Sequence, residues 1–249
     1  MGNQYFYKYQ KFDQYSERVF LHKKLWVSSP LDFDDPYDCR IDFSFDATIE
    51  DITEFYRREL ELSPELYSSN EEKAQKLQEL LEVHLTRSAN EIQKLRDQFD
   101  LQRLKQIGVI CLTLKKNNKD MWVSYSEDHT GYCIEFNKTP LARLKPKEVI
   151  YDDNPPVLDF YKSTREEKAE IQFYYKREKM SFEHEYRILL QHGHHEYDFG
   201  ENYINAVYLG YSMSSEHEEK IKKWLKTWRK KVNIYRAKSE NGDFEIVPF

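Results

Sequence analysis

The stretch from Glu50 to Ile107 constrains the fold more than any other part of the chain. It is charged, rich in Leu and almost free of β-branched runs, whereas the segments on either side are aromatic and strand-like. Leu77, Leu80, Leu81, Val83 and Leu85 recur at helical spacing, with Asn70 as the expected cap and Gly108 as the expected stop. The phase slips between Ser88 and Asn90, where a kink or break is expected. A helical block between strands, without βαβ alternation, argues against a doubly wound sheet. The expectation is an α+β fold: one domain over residues 1–249, with a mixed or antiparallel sheet core and a helical insertion over 50–107.

Tyr5–Tyr9, Leu25–Ser28, Val109–Leu114, Tyr132–Phe136, Glu148–Tyr151, Tyr186–Leu190, Ala206–Leu209, Val232–Arg236 and Glu245–Val247 read as strands. Helices are expected from Asp13 to about Lys23, over Met121–Tyr125, from about Pro156 to Lys179, and from Ser214 to Lys231. The 19 Tyr and 15 Phe rule out a disordered chain, and a net charge of −6 argues against a broad duplex-DNA surface. Cys39, Cys111 and Cys133 are odd in number and widely spaced, which suits buried thiols in a reducing compartment. The first ten residues hold no apolar signal core, and no apolar run approaches a membrane span. A cytoplasmic protein without a membrane partner is expected.

Tyr7 and Tyr9 share one strand face, with Phe6 and Lys8 on the other, so rings and an ammonium are available for stacking and for anionic oxygens. Alternate tyrosines on a strand equally suit core packing. Glu183, Glu185 and Arg187 are spaced by two at a strand start, which on residues alone describes a charged row on a solvated face. Asp32, Asp34, Asp35 and Asp38 lack the spacing and the glycine of a calcium loop and read as turn and cap residues. His192, His194 and His195 have no zinc-ligand spacing and read as a hairpin tip. Ile221, Trp224, Leu225 and Trp228 read as a packed stripe, with Lys222, Lys223, Lys226, Arg229, Lys230 and Lys231 as its solvated side.

Five stretches in order resemble the bacterial family of domain of unknown function 2971. They are Tyr7–Tyr9; Leu25–Ser28 leading into Phe33–Asp38; Gly108–Thr113; Met121–Tyr125 continuing through His129–Phe136; and Phe182–Arg187 followed by Ala206–Gly210. The family usually has Asn at the Asp34 position. More distantly, this layout of opening aromatic strand, helix, Ser-bearing strand and late Glu-led strand looks like that of ADP-ribosyltransferases, by fold-level analogy. What the resemblance implies is an ADP-ribosyltransferase-like fold and transfer of ADP-ribose from NAD to a protein or nucleic-acid acceptor. It also implies a toxin or antiphage defence role, which would bring an inhibitory partner protein. By resemblance Glu185 is the catalytic carboxylate and Glu183 acts on the acceptor side. Tyr7, Lys8, Tyr9, Ser28, Tyr125 and Arg187 would bind NAD. The sequence departs from better-known transferases in lacking a His or Arg followed by Gly in its first strand. The alternative is a non-catalytic protein-interaction or ligand-sensing module, and the burial of Glu185 separates the two readings.

Overall fold

Aromatic, β-branched and Leu-rich segments sort into distinct elements in the computed structural model, which describes residues 5–40, 42–62, 65–67, 69–240 and 243–248. In chain order these begin β1 (Tyr5–Gln10), α1 (Ser16–Phe20), β2 (Lys24–Val27), β3 (Phe43–Ser44), α2 (Ile49–Glu61), α3 (Asn70–Thr86) and α4 (Ala89–Gln106). They continue with β4 (Ile107–Thr113), α5 (Lys119–Tyr125), β5 (Tyr132–Asn137), α6 (Lys138–Leu141), β6 (Lys147–Glu148), β7 (Ile150–Tyr151) and β8 (Leu158–Asp159). The last are α7 (Arg165–Tyr174), β9 (Tyr175–Lys176), β10 (Glu185–Gln191), β11 (His195–Asp198), β12 (Ile204–Leu209), α8 (Ser215–Leu225), β13 (Asn233–Glu240) and β14 (Asp243–Pro248). The fold is mixed α+β.

The elements form two compact units, one from residues 1–38, 105–153 and 176–249, the other from 39–104 and 154–175. The first is built on an eight-stranded sheet of order β14-β13-β12-β5-β1-β4-β10-β6. Among the described residues of this sheet only β12 and β13 pair in parallel and the other neighbours are antiparallel, so the sheet is mixed. One sheet face carries Phe6, Ile110, Leu112, Ile134, Phe136, Ile188, Val207 and Leu209, packed with Val19 and Phe20 of α1 and with Ile221 and Leu225 of α8. Burying a side chain of this size contributes about 1.5–3 kcal/mol, so this face is the main source of the unit's stability. The opposite face carries a smaller cluster of Tyr7, Tyr9, Trp122, Cys133 and Tyr208.

Gly108 lies inside β4 rather than stopping a helix. A Cβ there would meet the His192 carbonyl oxygen at 2.0 Å and Val27 at 2.4 Å, so close backbone approach, not helix termination, requires glycine. The expected helix from Pro156 to Lys179 is only Arg165–Tyr174, because Thr164 and Glu167 form a reciprocal capping box that starts it late. Ser69, one residue before Asn70, caps α3, and the expected break near Ser88 separates α3 from α4.

In the second unit, Thr48 and Asp51 cap α2 in the same reciprocal way, and Ile52, Phe55, Phe160 and Tyr161 form the core. None of the α3 residues is fully buried; Val83 and Leu85 are exposed. Lys168 is 4% exposed, with its ammonium 4.4 Å from the Phe160 ring centroid and 5.1 Å from that of Phe55. Burial, with Arg103 adding to it, pushes the amine from 10.5 down to about 8. Between those two values the unfolded chain binds more protons than the folded one, so the amine's contribution to stability rises with pH across that window. Melting temperatures from pH 7 to 10 are expected to climb more in the wild type than in Lys168→Met. Parallel curves would show that the amine titrates normally.

Candidate active site

The site begins with one cross-strand row. Tyr7 of β1 stands opposite Glu135 of β5 on one side and Thr113 of β4 on the other, and Thr113 stands opposite Glu185 of β10. Directly opposed residues in antiparallel strands share a face. The row therefore places Glu135, Tyr7, Thr113 and Glu185 side by side, with Tyr9, Cys111 and Arg187 two residues along on the same face. Tyr7 and Thr113 form the one register pair joining β1 to β4 among the described residues. Beyond it the Lys8 ammonium donates to the Cys111 carbonyl at 3.2 Å.

Over this row lies a cavity of about 300 Å³ lined by Tyr7, Lys8, Tyr9, Ser28, Tyr125, Glu183 and Glu185, with Phe33, Asp38, Thr113 and Lys176 among the other walls. Seven of the eight site residues expected from sequence are thus brought together from distant parts of the chain. Arg187 is not in the lining. It is fully buried behind Glu185 and stacks its guanidinium 5.5 Å from the Phe33 ring.

Glu183, Glu185 and Arg187 are 2%, 4% and 0% exposed, which overturns the solvated-row alternative. Strand alternation also does not explain the two glutamates. Glu183 ends a 3-10 turn over Glu178–Glu183, and His184 turns the chain through a left-handed conformation (φ 45°) before β10 begins at Glu185. That turn lets both carboxylates reach Lys176, whose ammonium lies 2.6 Å from Glu183, 3.3 Å from Glu185 and 3.2 Å from Asp38. Arg187 grips Glu185 with a fork, Nε to Oε1 at 2.8 Å and Nη2 to Oε2 at 3.0 Å, and donates to Asp38 at 2.8 Å. Three acids face two bases.

This arrangement drives the two glutamates apart in proton affinity. Burial would push Glu185 up, but Arg187 and Lys176 outweigh it and hold the carboxyl well below its usual range. Burial prevails at Glu183 and raises its carboxyl against the pull of Lys176. Burial opposes the Lys176 charge, yet Glu185, Asp38 and Glu183 hold the ammonium above its ordinary value. Tyr125, 41% exposed, donates its hydroxyl to Glu183 and links the buried group to the rim. Its phenol is raised by burial and then by Glu183, so it remains a donor.

The other walls are less available. Tyr7 donates to Glu135 at 3.0 Å, as Tyr208 does at 2.6 Å, and Tyr9 donates to the Lys115 carbonyl at 2.8 Å. Burial raises the Cys111 thiol far above its usual value, which leaves it a poor nucleophile. Lys8 is half-buried with no carboxylate in ion-pair range among the described residues, and burial lowers its ammonium against the weaker pull of Glu185. Ser28 is held by paired main-chain bonds to Val109 of 3.1 and 2.8 Å.

Residues 121–241 match the family model described as "Protein of unknown function (DUF2971)". The match covers slightly under half of the chain and includes Tyr125, Lys176, Glu183, Glu185 and Arg187, while β1, Ser28 and β4 lie before it. Neither the curated proteins nor the solved structures contain a match to this chain.

Sequence reasoning missed Asp38 and Lys176. Asp38 sits in the Phe33–Asp38 stretch that carries the family resemblance, and that was the available signal. Nothing in the sequence around Lys176 marks it. No group of His, Cys, Asp or Glu among the described residues is arranged to hold a metal ion, and no helix among them is long and apolar enough to cross a membrane.

Proposed function

We propose that the chain transfers ADP-ribose from NAD to a protein or nucleic-acid acceptor, through an ADP-ribosyltransferase-like fold. The observation that carries this reading is the half-open, aromatic-walled cavity lined by a buried carboxylate pair of opposed proton affinity. The cavity's volume, at the lower end for ligand sites, suits the nicotinamide and its ribose, with the rest of the dinucleotide reaching outward. Lys8, half-buried and with no acid in ion-pair range among the described residues, would meet pyrophosphate oxygens, and Tyr125 and Phe33 offer the more accessible rings.

In this reading the bond from ribose to nicotinamide breaks with its electron pair passing to the ring nitrogen, so neutral nicotinamide leaves. The acceptor's lone pair bonds to the same ribose carbon, and its proton passes to Glu183, whose raised proton affinity favours taking it. Ionised Glu185, within a network holding one more acid than base, offsets the oxocarbenium-like charge. A role as toxin or antiphage defence effector, restrained by an inhibitory partner protein, belongs to the same proposal.

One observation favours a second reading, a ligand-sensing module. Both Glu185 oxygens are already engaged by Arg187 and one by Lys176, which suits a structural anchor as well as a catalytic charge. Incubation with NAD labelled in its ADP-ribose part, plus cell extract, separates the two. Nicotinamide release with label transfer supports the transferase; binding of NAD or ADP-ribose without release supports the sensor.

A further inference from the structure

Acidic side chains outnumber basic ones in this chain, 44 to 38, yet Lys226, Arg229, Lys230 and Lys231 gather just beyond α8. They line an open groove of about 630 Å³ together with Asn233 and Tyr235 of β13. The neighbouring acids are committed elsewhere. Glu218 holds Lys222 and Arg236, and Glu201 pairs with Lys23 and accepts the main-chain N–H groups of Arg229 and Lys230. The Lys230 ammonium is spent on the Ile204 carbonyl at 2.9 Å. The exposed side chains of Lys226, Arg229 and Lys231 have no carboxylate within ion-pair distance among the described residues.

We propose that this groove binds the phosphate backbone of a single-stranded nucleic acid. Three uncompensated cations along one groove match a repeating anion, while the overall negative charge confines binding to this place. The patch is too small for a duplex face. Exposed Asn233 gives the groove an amide, and half-buried Ile234 an apolar surface, for unstacked bases. An anionic membrane fits less well, because Leu225, Trp228 and Val232 are buried and Ile234 is half-buried against the main core, which leaves no exposed apolar side chain on this wall to insert.

The test uses the full chain, without NAD, so its outcome is independent of the transferase reading. Fluorescence anisotropy with labelled twelve-nucleotide oligo-dT and oligo-rU is measured between 50 and 200 mM salt. With three phosphate contacts, log affinity against log salt is expected to fall with a slope of about −2, roughly 20-fold over that range. Lys226→Glu/Arg229→Glu/Lys231→Glu is expected to lose at least about tenfold in affinity at low salt. A milder triple Gln variant, expected to show a smaller loss, covers the case in which the charge reversal disturbs folding. Absent wild-type binding, binding unchanged in both variants, or capture of phosphatidylserine vesicles instead of either oligonucleotide would overturn the proposal.

Discussion

Arg187→Leu is expected to cost about 3–5 kcal/mol of folding stability, read as a shift in the denaturant midpoint at neutral pH. The substitution leaves Glu185 and Asp38 buried with Lys176 as the nearest remaining cation and only slight exposure to water along the cavity. The size of the effect reflects the charge left unpaired rather than the net worth of the pair. Arg187→Leu combined with Glu185→Leu should therefore recover part of the loss. The same network predicts acid sensitivity. Glu185 is held below its unfolded value, so its contribution is present above the ordinary carboxylate value of about 4.3 and is lost as pH falls below it. Glu185→Gln should flatten that acid limb. A loss under about 1 kcal/mol in Arg187→Leu would mean that water enters the network.

The parts of this molecule governed by local periodicity were legible in its sequence. Alternating aromatics marked β1, the Leu-rich block marked helices, and Ser214 fell at the cap of α8. Boundaries set by side-chain caps were not: the Thr164 capping box shortened α7, and a single close backbone approach explains Gly108. The site was half legible for the same reason. Tyr7, Tyr9, Glu183 and Glu185 carry chemistry that can be read residue by residue. Asp38 and Lys176 acquire theirs only where antiparallel register and the left-handed turn at His184 bring three carboxylates to one ammonium. Spacing by two suggested a solvated row because period alone does not say which face is covered. Burial of Glu183, Glu185 and Arg187 gave the opposite answer.

Substitution of the two glutamates separately tests the proposed chemistry rather than its location. Glu185→Gln keeps the size and much of the hydrogen-bonding reach but removes the charge proposed to offset the oxocarbenium ion. Nicotinamide release is expected to fall by a factor of roughly 100 or more, equivalent to about 3 kcal/mol of transition-state stabilisation. NAD affinity should change little, because the lost interaction strengthens mainly in the transition state. Glu183→Gln removes the group whose proton affinity burial has raised, so hydrolysis of NAD should persist while transfer to the acceptor declines. Both side chains contact Lys176, so either variant can loosen the network. Melting temperature must be measured alongside, and Lys176→Met, which keeps both carboxylates but removes the cation they share, shows how far the chemistry depends on that cation. Total nicotinamide release and the ratio of hydrolysis to transfer decide the matter together. Loss of hydrolysis and transfer alike in Glu185→Gln, and a raised ratio in Glu183→Gln, would fix the two roles as proposed. Near-wild-type release and an unchanged ratio in both variants, with NAD still bound, would assign the carboxylates to holding the cavity and leave the chain a sensor.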